Sequence, residues 1–203
     1  MTRAKTFATA IIAAAAALAA PGLAAAQAGP SPDDAGRSQE QRGSTYNQDE
    51  IVKAASDFFG ATSSGVGKVV ERVFAEQGQP VGYIQGEEYA GALGVGLRYG
   101  KGTLIMKSGE RREVYWQGPS IGLDSGGNAS RVFTLVYNLQ NPDGLYRRYP
   151  GVEGAAFFVA GISVTYQRAE GVTLAPMRTG VGLRAGVNAG YSAYSRKRRW
   201  FPL

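Results

Sequence analysis

Along the chain the hydrophobic positions recur first every three or four residues and then every second residue, with the change near residue 80. Ile51, Val52, Ala55, Phe58 and Phe59 share one helical face, Asn47 and Glu50 form a capping pair, and Gly60 stops the run. A helix over 48–59 is predicted. A second is predicted over 64–77, where Val66, Val69, Val70, Val73 and Phe74 keep the same spacing until Gly78 and Pro80 end it. Each is apolar on one side only, so each needs a surface to pack on.

Beyond them the period is two. Residues 180–194 set Val181, Leu183, Ala185, Val187, Ala189, Tyr191 and Ala193 against glycines and polar residues, and residues 91–99 set Gly91, Leu93, Val95, Leu97 and Tyr99 against Ala92, Gly94, Gly96 and Arg98. The segments 94–100 and 180–186 match at six of seven positions, which suggests equivalent places in a closed sheet. A strand over all of 180–194 would span about 50 Å, so a bend near Asn188 is expected. Further strands are predicted at 81–86, 103–107, 113–117, 131–139, 156–167 and 172–174, with turns at Ser108-Gly109, 125–128, 141–144 and 169–171.

This pattern predicts a mainly β fold: a small antiparallel β-barrel of about eight or more strands with two short N-terminal helices. Glycine at alternate strand positions weakens pairing unless curvature or a close approach uses the missing side chain. A filled interior is expected, built from Leu93, Val95, Leu97, Val181, Leu183 and Val187.

The N-terminus reads differently. Arg3 and Lys5 precede an apolar, alanine-rich stretch that ends in Ala24-Ala25-Ala26, the organisation of a cleavable signal peptide over 1–26. Residues 27–46 are polar and rich in Pro, Gly and Ser, so a disordered linker is expected before a single domain over 47–203. Export releases the product outside the cytoplasmic membrane.

Composition then narrows the chemistry. The 203 residues include no cysteine and no histidine, which removes disulfides, thiolate nucleophiles, the usual neutral-pH base and the commonest metal ligands. No cofactor or metal is expected. Of 22 basic residues, loss of Arg3 and Lys5 with the signal leaves 20 against 16 acidic ones, a net of +4, and Arg196, Lys197, Arg198 and Arg199 alone account for it. The rest is formally neutral, so nucleic acid is not an expected partner. The cationic tail instead suits peripheral contact with an anionic membrane surface.

Gly118-Pro119-Ser120-Ile121-Gly122 has the G-x-S-x-G form of a nucleophile elbow, but there is no histidine to serve it and the residues after Gly122 read as strand end and turn. Gly94, Gly96 and Gly100 miss the dinucleotide-loop spacing by one residue. Glycan hydrolysis by two carboxylates needs no histidine, and Glu87, Glu88, Asp124, Asp143 and Glu153 are the candidates, with no spacing that selects a pair. Tyr146, Arg147, Arg148 and Tyr149 mix rings with cations in the manner of a site for a lipid headgroup or sugar.

Several blocks in order carry a family likeness: residues 116–122 (WQGPSIG), the Gly126-Gly127 turn, 132–139 (VFTLVYNL), 149–152 (YPGV) and 174–180 (LAPMRTG). Through them the chain resembles the EipA-type periplasmic proteins over about 46–203. That resemblance implies a small barrel with N-terminal helices, a periplasmic location, a part in envelope integrity, and no catalytic residues. The stretch 119–127 and the glycine-alternating strands are also similar to SYLF lipid-binding domains, which implies an amphiphile as ligand. On this reading the protein is a non-enzymatic envelope-integrity protein. The candidate ligand-binding residues are Trp116, Ser120, Tyr137, Tyr149 and Arg178, for a lipid or other amphiphilic envelope component or an envelope glycan. The alternatives are an integral outer-membrane barrel, with alternating strands facing lipid, and the glycan hydrolase.

Overall fold

The structure, a computed structural model, describes residues 44–60, 63–91, 94–122, 128–179 and 191–199. Both helices form at the predicted places: α1 is Gln48–Phe59 and α2 is Ser63–Gln77. The Asn47 side chain accepts from the Glu50 backbone N–H while the Glu50 carboxylate accepts from that of Asn47, and Gly60 ends α1 at φ 64°. Among the described residues eight strands follow: β1 (Gly82–Gly91), β2 (Gly94–Met106), β3 (Arg111–Gly122), β4 (Asn128–Tyr137), β5 (Arg148–Val159), β6 (Ile162–Ala169), β7 (Val172–Thr179) and β8 (Tyr191–Ser195). They close into an antiparallel barrel in the order β1-β2-β3-β8-β5-β6-β7-β4, as expected from the strand count.

The topology is two meanders, β1-β2-β3 and β5-β6-β7, joined by β4 on one side and closed by β8 on the other. Residues 156–167, expected as one strand, are two. Ala160 and Gly161, at φ 51° and 84°, make a two-residue turn between β5 and β6, matched by Glu170 and Gly171 between β6 and β7. The apolar run gives little warning of the first turn, because alanine rarely takes the left-handed conformation. Of the segments 91–99 and 103–107, read as separate strands, Gly91 ends β1, while 94–99 and 103–106 belong to one long β2 that continues through Gly100 and Gly102.

Strand alternation sorts the core into two layers. Outside the barrel, Ile51, Ala55, Val66, Val69, Val70 and Val73 of the helices bury Phe133, Leu135, Tyr137, Val164, Tyr166, Ala175 and Met177 of β4, β6 and β7. Inside lie Ile84, Leu104, Met106, Val114, Trp116, Val132, Val136, Tyr149, Leu174 and Tyr194, which fill the described part of the lumen. Leu139 joins this inner group although its odd-numbered partners Phe133, Leu135 and Tyr137 face the helices, because Asn138 at φ 59° turns the chain after β4. Tyr46, expected in the linker, is docked. Its N–H donates to the Pro80 carbonyl at 2.8 Å, and its ring meets Tyr83 edge-on at 5.2 Å. One aromatic side chain with apolar neighbours is enough to order the end of a polar segment.

One expectation is reversed. Leu97 was assigned to the interior, yet it is 39% exposed while Arg98 beside it is 4% exposed, so here the glycine-and-polar face of β2 points inward. The side chain of Val95 and the residues Leu93, Val181, Leu183 and Val187 lie outside the described set, as do the signal-peptide stretch and the bend expected near Asn188.

The inward glycines make room for a ring. Gly100 pairs with Trp116 across β2 and β3, and a Cβ on Gly100 would lie 2.0 Å from the indole, while one on Gly86 would lie 2.3 Å from the Lys101 carbonyl and 2.7 Å from the indole. Gly100→Ala is therefore expected to destabilise the fold by about 1–3 kcal/mol through overpacking. Gly67→Ala, on α2 with nothing within 4 Å of the new methyl group, is expected to stabilise by up to about 1 kcal/mol. Urea unfolding of the two variants beside the parent checks both signs.

Candidate functional site

Three of the five candidate ligand-binding residues meet inside the barrel. Trp116 donates from Nε1 to a Glu88 carboxylate oxygen at 2.8 Å, and Arg178 reaches both oxygens of the same carboxylate at 3.0 and 3.3 Å. Tyr149 stands edge-on to Tyr194 at 5.6 Å, and Tyr194 lies 6.0 Å from Trp116. The Tyr149 hydroxyl donates to the Gly144 carbonyl at 3.2 Å, and burial pushes its pKa up to about 12. The lumen thus holds Trp116, Tyr149 and Arg178 in one cluster, linked through Glu88 and Tyr194.

Tyr137 is elsewhere, buried beneath the helices on the outer face of β4, with no hydrogen-bond partner for its hydroxyl among the described residues. Burial raises its pKa strongly. Ser120 lies within β3 opposite Gly96, so the G-x-S-x-G segment is extended strand and not a strand-to-helix elbow.

Glu88, which the sequence offers only as one of five candidate catalytic acids, is the residue that joins Trp116 and Arg178. Its carboxylate sits in the lumen, bonded to Arg178 and Trp116, with Arg98 Nε 3.9 Å away, and all three charged side chains are about 5–6% exposed. Burial alone would raise the carboxyl pKa, but the two guanidinium groups and the hydrogen bonds from Arg178 and Trp116 outweigh it and hold it below the usual range. Burial opposes charge on Arg178 too, and attraction to Glu88 with their hydrogen bond raises its pKa. For Arg98, burial and repulsion by Arg178 outweigh the pull of Glu88 and lower it. Both arginines remain protonated, since even a lowered guanidinium titrates far above neutrality. Gly86 and Gly100 on the same inward face were the available sequence signal: small residues there leave space for something large opposite them.

Among the described residues the candidate carboxylates do not assemble into a pair. Glu87 and Glu88 are adjacent on β1 and point to opposite faces, Glu88 being buried and Glu87 exposed. Asp143 lies within a short 3-10 turn, Pro142–Leu145, that Asn141 caps, and it pairs with Arg196 at 2.8 Å. Asp124 and the side chain of Glu153 lie outside the described set. Among the described residues no group of three or more acidic side chains is placed to hold a metal ion. No described helix is long and apolar enough to cross a membrane, which says nothing about strands.

The open concavities lie outside the barrel, on either side of the chain where it leaves β8. One, of about 580 Å³, is lined by Asp143, Tyr146, Arg147, Arg148, Tyr194, Arg196, Lys197 and Arg199 among others. The second, of about 440 Å³, is lined by Tyr89, Tyr99, Lys101, Tyr115, Arg198 and Arg199 together with Gly100 and Trp116. Gln117, Ser195 and Arg199 border both, so they form one groove with the tail running between its halves. Seven cationic side chains face it, and Asp143 is its one acid. The tail is anchored through Arg196, which pairs with Asp143 and lies over the Tyr146 ring at 5.1 Å. Arg148 lies over Tyr191 at 5.0 Å, and Arg147 pairs with Glu170. The sequence reading found Tyr146, Arg147, Arg148 and the tail separately; the fold brings them together.

A family model described as EipA, envelope integrity protein A, matches residues 44–203. The chain belongs to that family. Its role is accordingly in envelope integrity, and its location is the envelope. The EipA chain is also similar to a solved structure, the crystal structure of a beta-barrel-like, uncharacterized protein from Brucella abortus, at 46% identity and a TM-score of 0.71 over 78% of this chain and 99% of that one. No curated protein matches. The family description names no enzymatic activity.

The lumen cluster has a measurable consequence. Glu88→Gln leaves two buried arginines facing each other without their carboxylate, and a loss of about 3–5 kcal/mol is expected. Because the folded-state pKa of Glu88 lies below its unfolded value, the stability it supplies is present above the ordinary carboxylate range and is lost as pH falls through the depressed value. The parent is thus expected to lose stability in acid more steeply than Glu88→Gln, which urea midpoints measured from pH 7 down to pH 3 will show.

Proposed function

We propose that this EipA-family chain is a non-enzymatic periplasmic protein, exported by a cleavable signal, that supports the envelope by holding an anionic envelope component in the groove around its C-terminal tail. The observation that carries this reading is the charge of the groove, with seven cations lining it against one acid. Such a surface attracts phosphate or carboxylate groups before contact and orients them on arrival.

The filled lumen argues against carriage of an amphiphile inside the barrel. Trp116, Tyr149, Tyr194 and the aliphatic side chains around them occupy the described interior, and the charged groups there pair with one another. The outward face of β1 to β3 argues against a membrane-spanning barrel. Glu87, Lys101, Thr103, Arg111 and Glu113 are exposed on it, whereas a lipid-facing band is apolar. Non-enzymatic action fits the separation of the described carboxylates.

The test is sedimentation of the purified protein with washed envelope fragments from its own cells, together with rescue of cells that lack it. Binding is expected at low salt and is expected to weaken as salt screens the exposed cations. Lys197→Ser/Arg198→Ser/Arg199→Ser is expected to lose most of that binding and to restore envelope-stress survival poorly. Its unfolding midpoint is expected to stay near the parent's, since these side chains are exposed. Full rescue by the triple variant would overturn the proposal.

A further inference from the structure

We infer that the occupant of the tail groove is an acidic glycan, a chain of sugar rings bearing carboxylate or phosphate groups, and not a lipid surface; this rests on the anionic-ligand reading above. The distinguishing feature is the arrangement of rings beside the cations. Tyr89 and Tyr99 are register partners across β1 and β2, and Lys101 and Tyr115 are register partners across β2 and β3. All four line the same half of the groove. Tyr89 is 47% exposed, and Tyr99 and Tyr115 are partly exposed.

An exposed tyrosine ring offers a flat, electron-rich face to the weakly positive C–H bonds on one side of a pyranose, and here hydrogen bonds from Tyr89 to Glu87 and between Tyr115 and Glu113 hold two of the rings in place. Rings and cations set side by side on neighbouring strands match a polymer that alternates apolar sugar faces with acidic substituents. Each half of the groove has the volume of an ordinary ligand site, and the two halves continue into each other past Gln117 and Ser195, as a chain ligand requires.

A lipid surface fits less well. Acyl chains need contiguous apolar area, and the exposed large hydrophobic side chains among the described residues are Tyr89, Leu97 and Phe158 alone. The described lumen is occupied by side chains. The cations also sit in a concavity on both sides of the tail, whereas a planar bilayer is met by a flat or convex basic face.

The experiment measures binding of the 27–203 protein to three probes at one ionic strength: a hexamer of galacturonic acid, vesicles of phosphatidylglycerol with phosphatidylcholine, and polyphosphate, a polyanion without rings. The hexamer is expected to bind. Tyr89→Ala/Tyr115→Ala is expected to weaken it about tenfold, and Tyr89→Phe/Tyr115→Phe, which keeps the rings, to bind near the parent level. Both double variants are to be compared with the parent by thermal unfolding, and retention by the Phe pair separates stacking from any loss of fold. Binding to vesicles but not to the hexamer overturns this inference and leaves the anionic-ligand reading standing. Equal binding of hexamer and polyphosphate, untouched by the Ala pair, overturns it as charge alone. Binding of none of the three by the parent overturns both.

Discussion

The carboxylate of Glu88 is the fixed point of this barrel. It stands inside a closed sheet and receives Arg178 from β7 and Trp116 from β3, with Arg98 of β2 close by, so one acidic group on β1 ties together four strands of the ring. A lone buried charge would cost several kcal/mol, and three charges with mutual hydrogen bonds recover much of that cost only when their geometry is right. The barrel cannot slip its register by one residue without turning Glu88 and Arg98 outward and their apolar neighbours inward. Specification of register, more than net stability, is what such a cluster supplies.

The glycines follow from this constraint. Trp116 can lie across the lumen toward Glu88 because Gly86 and Gly100 beneath it have no Cβ. Strand propensity is given up locally so that the one large ring able to donate to the carboxylate can reach it. On the opposite side of the ring of strands, β4 and β7 have apolar residues on both faces, β6 sets Val164 and Tyr166 outward and the buried Thr165 and Gln167 inward, and the helices cover the outer face. The two sides of the barrel are therefore stabilised by different means, close glycine packing around Trp116 inside β1 to β3 and burial under the helices on the outer face of β4, β6 and β7, while the Glu88–Arg178 pair joins the two sides across the lumen.

The division explains which parts of the molecule were legible in the sequence. The helices have the 3.6-residue period and explicit caps at Asn47 and Gly60, and their ends fall where those signals lie. The turns at Ser108-Gly109 and Glu170-Gly171 were legible because glycine marks them; the one at Ala160-Gly161 was hidden in a long apolar run. The inward face of β2 was misread because an apolar face normally turns to the core. Here the closed barrel buries arginine by pairing it with an acid ten residues away on the neighbouring strand, and no periodicity encodes that pairing. For the candidate site, Trp116, Tyr149 and Arg178 were found as residue types, but their partner Glu88 was weighed only as a catalytic acid. The groove was legible in its pieces, Tyr146 to Arg148 and the tail, and not as a whole, since the register of β8 alone joins them.

That register links the interior to the surface. Among the described residues β8 joins β3 through three residue pairs and β5 through three more. The inward residues of β8 add to these ladder bonds. Tyr194 packs against Trp116 and Tyr149 and shares a hydrogen bond with Thr134, while Ser192 accepts from Gln167 across the lumen at 2.9 Å. Each inward residue has an outward neighbour at the groove: Trp116 beside Tyr115, and Tyr194 beside Ser195, from which the tail departs. The lumen cluster therefore places Trp116, Trp116 places Tyr194, and Tyr194 places the strand end that carries the cationic tail. The filled interior serves the surface as a template, setting the spacing of rings and charges on the outside from contacts made within.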